Sequence, residues 1–126
     1  MNVKSVLIEI GGEEKEVKFT IGAIEELESL LPSRNVFELL QQEQWGITDI
    51  ISVAYCGLKV FDRKISRNTV EKWVTDYAAD KGILDLRLRL LAAIGISGLV
   101  GGQKSAFEDI LNALDNGSDA DEEEKK

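Results

Sequence analysis

The sequence predicts an α+β, mainly helical fold in which an N-terminal two-stranded antiparallel β-hairpin packs on a bundle of four to five helices. Three observations carry this. Val17, Phe19 and Ile21 alternate with Lys18 and Thr20, the period of a strand with one buried face. Directly afterwards Ile24, Leu27 and Leu31 recur at helical spacing, with Glu25, Glu26 and Glu28 on the opposite side. Finally, Gly11-Gly12 stands between two alternating stretches, where adjacent glycines permit the positive φ of a tight hairpin turn.

In chain order, Val3 to Ile10 reads as the first strand, with Val6, Ile8 and Ile10 on one side and Ser5, Leu7 and Glu9 on the other. Gly11–Glu14 supplies the turn and Lys15–Phe19 the return strand, giving a hairpin over residues 3–20. A lone hairpin is marginal in water, so it must pack on the helices that follow. The Thr20 hydroxyl is placed to cap the first helix, Ile21 to Leu31. That helix ends at Pro32, because the residue before a proline is pushed out of the helical region. Asn35 and Glu38 form a capping box for a short helix through Gln42, with Val36, Leu39 and Leu40 facing inward. Trp45-Gly46 breaks the pattern, and Thr48 caps a third helix from Asp49 to Leu58. This third helix is almost uncharged after Asp49, which predicts burial on most sides. Its Gly57 marks either a close approach or a frayed last turn.

Asn68 and Glu71 form a second capping box, opening a helix from Thr69 to Asp80 with Val70, Trp73, Val74 and Tyr77 as its apolar stripe and Gly82 as its stop. Ile83 to Val100 is the longest helical candidate. At about 100° per residue, Ile83, Leu86, Leu90 and Ile94 form one apolar arc, Leu84, Leu88 and Leu91 a second, and Asp85 and Arg89 pair between them. Gly95, Gly98, Gly101 and Gly102 interrupt its end, since each glycine costs about 1 kcal/mol relative to alanine in a helix interior. Leu99-Val100 is accordingly expected to be a hinge or a mobile apolar segment. Ser105 to Leu114 reads as a last short helix carrying Phe107, Ile110, Leu111 and Leu114. From Asp115 the composition cannot support a core, so residues 1–114 are expected as one domain and 115–126 as a disordered acidic tail.

Composition removes several function classes. The chain has no histidine and a single cysteine, Cys56, so an internal disulfide is excluded and the usual zinc, copper or haem ligand sets and histidine-based acid–base or triad catalysis are not expected. Neither a metal nor a cofactor is implied. A net charge of −8 argues against nucleic-acid backbone binding, although the 115–126 tail alone carries −4 of it. No stretch has the length and purity of a membrane span, because Asp85, Arg87 and Arg89 break the most apolar region, and Glu9 interrupts any signal-like patch near Lys4. A cytoplasmic protein is expected.

Four local features invite functional readings. Gly11-Gly12 lacks the further glycine, lysine and Ser/Thr of a phosphate loop. Cys56, in an apolar helix with no cation placed to lower its pKa, reads as an inert core residue. Lys59, Arg63, Lys64 and Arg67 are basic enough to hold a phosphate or an acidic partner, yet Asp62 interrupts them, and a solvated connection is expected. Glu25, Glu26 and Glu28 offer paired carboxylates for catalysis, but adjacent glutamates on an exposed helix face are ordinarily solvated charge.

The opening hairpin, the Phe19–Leu31 joint (FTIGAIEELESLL), Val36–Leu40 (VFELL) and Thr48–Lys59 (TDIISVAYCGLK) together resemble the tail assembly chaperone family of long-tailed phages and prophages. Gly22, Ala23, Glu25 and Leu27, then Ala54, Gly57 and Leu58, carry the likeness, which spans roughly residues 3–75. The resemblance implies a cytoplasmic protein, not expected in the mature virion, that binds the tape measure protein and recruits tail tube subunits, the latter through a longer frameshifted form. It implies no catalysis. Such a chaperone needs exposed apolar surface, and Leu88, Leu91, Ile94, Leu99 and Val100 are its expected partner-binding or self-association residues. The same five side chains would equally serve to close the domain's own core. The competing class is an acidic phage-encoded inhibitor, a DNA mimic that would bind a nuclease or repressor.

Overall fold

Two glycines set the register of everything that follows. β1 (Ser5–Ile10) returns on β2 (Glu13–Lys18) through Gly11 and Gly12 alone, both at positive φ, so that Ile10 pairs with Glu13 and Val6 with Val17. The turn is thus two residues long, and β2 begins two residues before the expected Lys15. The computed structural model describes residues 5–102 and 104–124, and the expected strand residues Val3 and Lys4 and tail residues Lys125 and Lys126 lie outside the described residues. Val6, Ile8, Ile10 and Val17 share the buried face, while Leu7 on the other face is exposed. Lys15 sits opposite Ile8 at the edge of the buried face, where its ammonium lies 4.6 Å from the Trp73 ring centroid and 2.6 Å from Glu13.

Phe19 is wholly buried, and the next residue turns the chain into α1 (Ile21–Leu30), with Thr20 Oγ1 accepting from the Ala23 amide at 3.1 Å. α1 ends before Pro32 as expected. In α2 (Val36–Gln41) the Asn35 side chain accepts from Phe37 N, but the Asn35 amide, which the expected box would give to Glu38, donates instead to Ser33 Oγ at 3.3 Å, and the carboxylate of Glu28 in α1 accepts from Val36 N at 2.9 Å. Glu26 pairs with Lys59 at 2.9 Å. Two of the three glutamates on α1 therefore fasten neighbouring elements rather than standing free in solvent.

α3 (Ile47–Lys59) starts two residues earlier than expected, with Gly46 at its N-cap and no capping side chain, so Thr48 is not the cap. The buried Trp45, whose indole donates to the Leu39 carbonyl at 3.0 Å, holds the chain where the Gly46 carbonyl already accepts from Ile50. α4 (Arg67–Lys81) likewise opens early: Ser66 Oγ accepts from Thr69 N, displacing the Asn68–Glu71 box. Ile65 before the cap and Val70 after it are both buried in the core, the spacing of a hydrophobic staple that fixes the earlier start. Gly82, at φ 94°, ends α4 and begins α5 (Ile83–Ile96).

α5 stops four residues short of the expected Val100. Ser97 Oγ donates to the Ile94 carbonyl and accepts from Leu99 N, and Gly98, Gly101 and Gly102 then take positive φ. α6 (Lys104–Glu124) does not stop at Leu114 but continues to Glu124, so the stretch expected as a disordered tail is helical over 115–124. Composition indicated only that this segment cannot build a core. It contains no proline, and docking on α5 supplies the nucleus that an isolated acidic segment lacks.

α3 and α5 cover the inner face of the hairpin, α1 packs on α3, and α4 fills the angle between α3 and α5. Among the described residues the hairpin stands on six helices where four to five are expected, and the class is the expected α+β, mainly helical one. Phe19, Leu27, Leu39, Ile50, Leu86 and Leu90 are among the fully buried side chains at its centre.

Candidate interaction surface

The sequence sorts α5 into two apolar arcs, and the packing separates them. Leu86, Leu90 and Ile94 are 0% exposed, whereas Leu84 is 59% exposed and Leu88 and Leu91 are partly buried. Ile94 was grouped with the expected partner-binding residues, yet it stands one turn beyond Leu90 on the inner arc. It belongs to the core and presents nothing to a partner. Leu99 and Val100 follow the Ser97 cap, partly buried, with Val100 packed against the core. Leu91 is partly buried and, like Val100, packed against the core, so of the five expected binding residues Leu88 is the one left on the outward arc clear of the core, beside Leu84, which shares that arc but is not among the five.

α6 lies along α5, its main neighbour. Phe107 and Leu111 pack against the core, while Ile110 and Leu114 are only partly buried, so none of the four apolar side chains on α6 is fully covered. The contact is closest at Gly95, where a Cβ would fall inside the Phe107 ring. Gly95 thus belongs to a packed helix, and the expectation that it only interrupts one misses its role as a seat.

A polar strip borders this seam. Arg89 Nε reaches Asp85 at 2.7 Å and its Nη1 reaches Asp115 of α6 at 2.9 Å, while the Tyr77 hydroxyl donates to Asp85. The Asp85–Arg89 pair follows the helical spacing seen in the sequence; the third member, Asp115, does not, because it depends on where α6 docks. Burial first, then the hydrogen bond and charge of Asp85, pushes the Tyr77 phenol well above its usual range. Burial works against the Arg89 charge, but its bonds to Asp85 and Asp115 outweigh this and hold the guanidinium above its already high ordinary value.

Two open clefts flank the hairpin. One of about 650 Å³ lies between the Gly11-Gly12 turn and α4, over Trp73 and Tyr77; two of its four carboxylates are paired, Glu13 with Lys15 and Glu9 with Lys81. The other, about 510 Å³, runs between β1, α4 and α6 and touches Leu7, Arg89, Leu111 and Asp115. Ile21, which the alternation with Val17 and Phe19 puts on a buried strand face, is instead 60% exposed at the start of α1, because the chain has already turned into the helix; Leu30, Phe37, Ile47 and Phe61 are further exposed apolar side chains. The basic stretch is drawn apart, with Lys59 on Glu26 and Arg67 on Glu71.

Cys56 is buried, and burial pushes its thiol up to about 12, so no reactive thiolate forms near neutrality. Among the described residues, no group of three or more His, Cys, Asp or Glu is placed to hold a metal ion, and no helix is long and apolar enough to cross a membrane. What the arrangement offers chemically is an outward apolar helix arc edged by ion pairs. Compared with protein-family models, curated proteins and solved structures, the chain matches none of them.

Proposed function

We propose that this chain is a tail assembly chaperone of a long-tailed phage or prophage. It works in the bacterial cytoplasm without catalysing a reaction, binds the tape measure protein through apolar helical surface, and brings tail tube subunits to it. The observation that carries the reading is the outward arc of α5: Leu84 stands in solvent one turn from the part-buried Leu88, and α6, which lies along α5, adds apolar side chains that are only part-covered. A helix arc of this kind suits an amphipathic partner helix, because apolar anchors at intervals of three and four match a helix groove. The likeness over residues 3–75 names the partner; the arc says how it would be held. The acidic-inhibitor alternative gains nothing from the described exterior, where Glu9, Glu26 and Glu71 are each paired with a cation.

The test is co-expression with the tape measure protein of the same phage or prophage. The wild-type chain is expected to copurify with that protein, and Leu84→Asp with Leu88→Asp to lose it while the circular dichroism stays unchanged. Failure of the wild-type chain to copurify, or turnover of a substrate by the purified chain, overturns the reading.

A further inference from the structure

We propose that α6 is a detachable strap seated in a helix-docking slot on α5, and that the slot accepts in its place a partner helix of the same pattern. That pattern is an aromatic residue, an aliphatic one four positions later and a carboxylate eight positions later. The identity of any such partner rests on the function proposed above; the slot and the strap do not.

The seat is built on α5 at Gly95 and Arg89, the two points where α6 is held. Leu84, Leu88, Leu91 and Gly95 share one face of α5 at intervals of four, three and four, the spacing of a helix–helix seam, so the face that ends at Gly95 continues to the exposed Leu84. Gly95 ends the seam as a notch, because without a Cβ the backbone there admits a whole ring, and Phe107 fills it. α6 supplies the matching ridge: Phe107, Leu111 and Asp115 share one face at intervals of four. Phe107 meets Gly95, Leu111 packs on the core, and Asp115 reaches Arg89 at 2.9 Å. These three contacts specify what the slot recognises, since any helix offering the same ridge makes the same set.

The attachment runs along α5, the main neighbour of α6, but it is shallow. α6 joins α5 through Gly101 and Gly102, both at positive φ, a backbone with no side chain to hold it. None of the four apolar side chains on α6 is fully buried, and the Asp115 carboxylate is 63% exposed, so the ion pair is solvent-screened. A cleft of about 510 Å³ already opens along the edge of α6 beside β1. A segment whose large apolar side chains all stay part-exposed opens at a fraction of the cost of global unfolding. Lifting α6 would free the Gly95 notch at one end of the seam whose other end, Leu84, stands exposed.

The experiment uses full-length chains and a fluorescent peptide carrying residues 104–116. By hydrogen exchange, Gly95→Ala is expected to speed exchange of the amides of residues 105–116 about ten-fold while leaving Val70 to Tyr77 unchanged, because the added methyl meets only Phe107 within its nearest contacts. The peptide is expected to bind Phe107→Ala at least about ten-fold more tightly than wild type, whose own strap competes at high effective concentration. It should lose that gain on the chain carrying both Gly95→Ala and Phe107→Ala. Equal binding to wild type and Phe107→Ala, absence of binding to Phe107→Ala, or exchange in 105–116 as slow as in α5 overturns the proposal. None of these readouts involves the tape measure protein, so a failed copurification would leave the strap standing, and a rigid α6 would leave the function standing.

Discussion

Gly57 of α3 lies bare against Phe19, so close that a Cβ there would stand 2.8 Å from Phe19 Cζ and 2.5 Å from Val17 Cγ1. The end of β2 and the middle helix meet here, and the approach exists only because one side has no side chain. Gly57→Ala is expected to destabilise by about 1–3 kcal/mol, since overpacking outweighs the roughly 1 kcal/mol that alanine gains in a helix. Gly22→Ala is the counter-case. Its Cβ would find only Thr20 Oγ1 at 3.9 Å, within ordinary contact, so the propensity gain stands and the protein is stabilised by about 0.5–1 kcal/mol. Urea midpoints of the two variants should move in opposite directions.

Alkali should lower the stability of this protein over two successive pH ranges. Burial raises the Cys56 thiol from 9.0 to about 12, so above pH 9.0 the unfolded chain gives up a proton that the folded chain keeps. Stability then falls with pH, because the unfolded state binds fewer protons than the native one. Tyr77 acts in the same sense from its ordinary value of 10.0 upward, held protonated by burial and by its bond to Asp85. Stability contributed by both groups is therefore complete below pH 9.0 and is lost above it. Cys56→Ala should flatten the first part of the urea-midpoint profile, and Tyr77→Phe the part above pH 10.0. An identical slope in wild type and Cys56→Ala would remove the thiol from the account.

What was legible in the sequence is what depends on local pattern. The hairpin, the Thr20 cap, the Pro32 stop, the Gly82 joint and the inner arc of α5 all follow from period, caps and breakers. The misplaced helix starts at Thr48 and Asn68 share one cause. Packing of Trp45 and Ile65 on the core sets both starts, overriding the side-chain cap altogether at Gly46 and selecting Ser66 over Asn68 in α4. At Gly57 the sequence allows both close approach and fraying, because only the position of Phe19 decides between them. At the candidate surface, the Gly95–Phe107 seat and the Arg89–Asp115 pair join elements across a glycine-rich turn, and no period links their positions. Ile94 was assigned outward although its own spacing from Leu90 put it with the core.

The two arcs of α5 give opposite answers to the same substitution. Leu84→Asp places a carboxylate where the side chain is already 59% exposed and is expected to change stability by less than about 0.5 kcal/mol. Ile94→Asp buries an unpaired carboxylate at a position with 0% exposure and should cost at least about 4 kcal/mol, enough to prevent folding in a domain of this size. Expression yield and thermal melts distinguish them. A melt for Leu84→Asp several degrees below wild type would mean that this arc is already covered in solution.

Arg89 stands between two carboxylates of unequal worth. Asp115 is 63% exposed and Asp85 24%, so Asp115→Asn should cost only about 0.2–1 kcal/mol and less at high salt. Arg89→Ala should cost more, about 1–3 kcal/mol, since it strips the partly buried Asp85 of its cation and leaves the Tyr77 hydroxyl as its remaining partner. A double-mutant cycle separates the two arms. The Arg89–Asp85 coupling should persist at about 1 M salt, where the Debye length is near 3 Å, and the Arg89–Asp115 coupling should fade. Because the second arm alone crosses from α5 to α6, salt is then expected to speed amide exchange in α6 while leaving α4 and α5 as they were, and equal response in all three helices would place the ion pair outside the docking of α6.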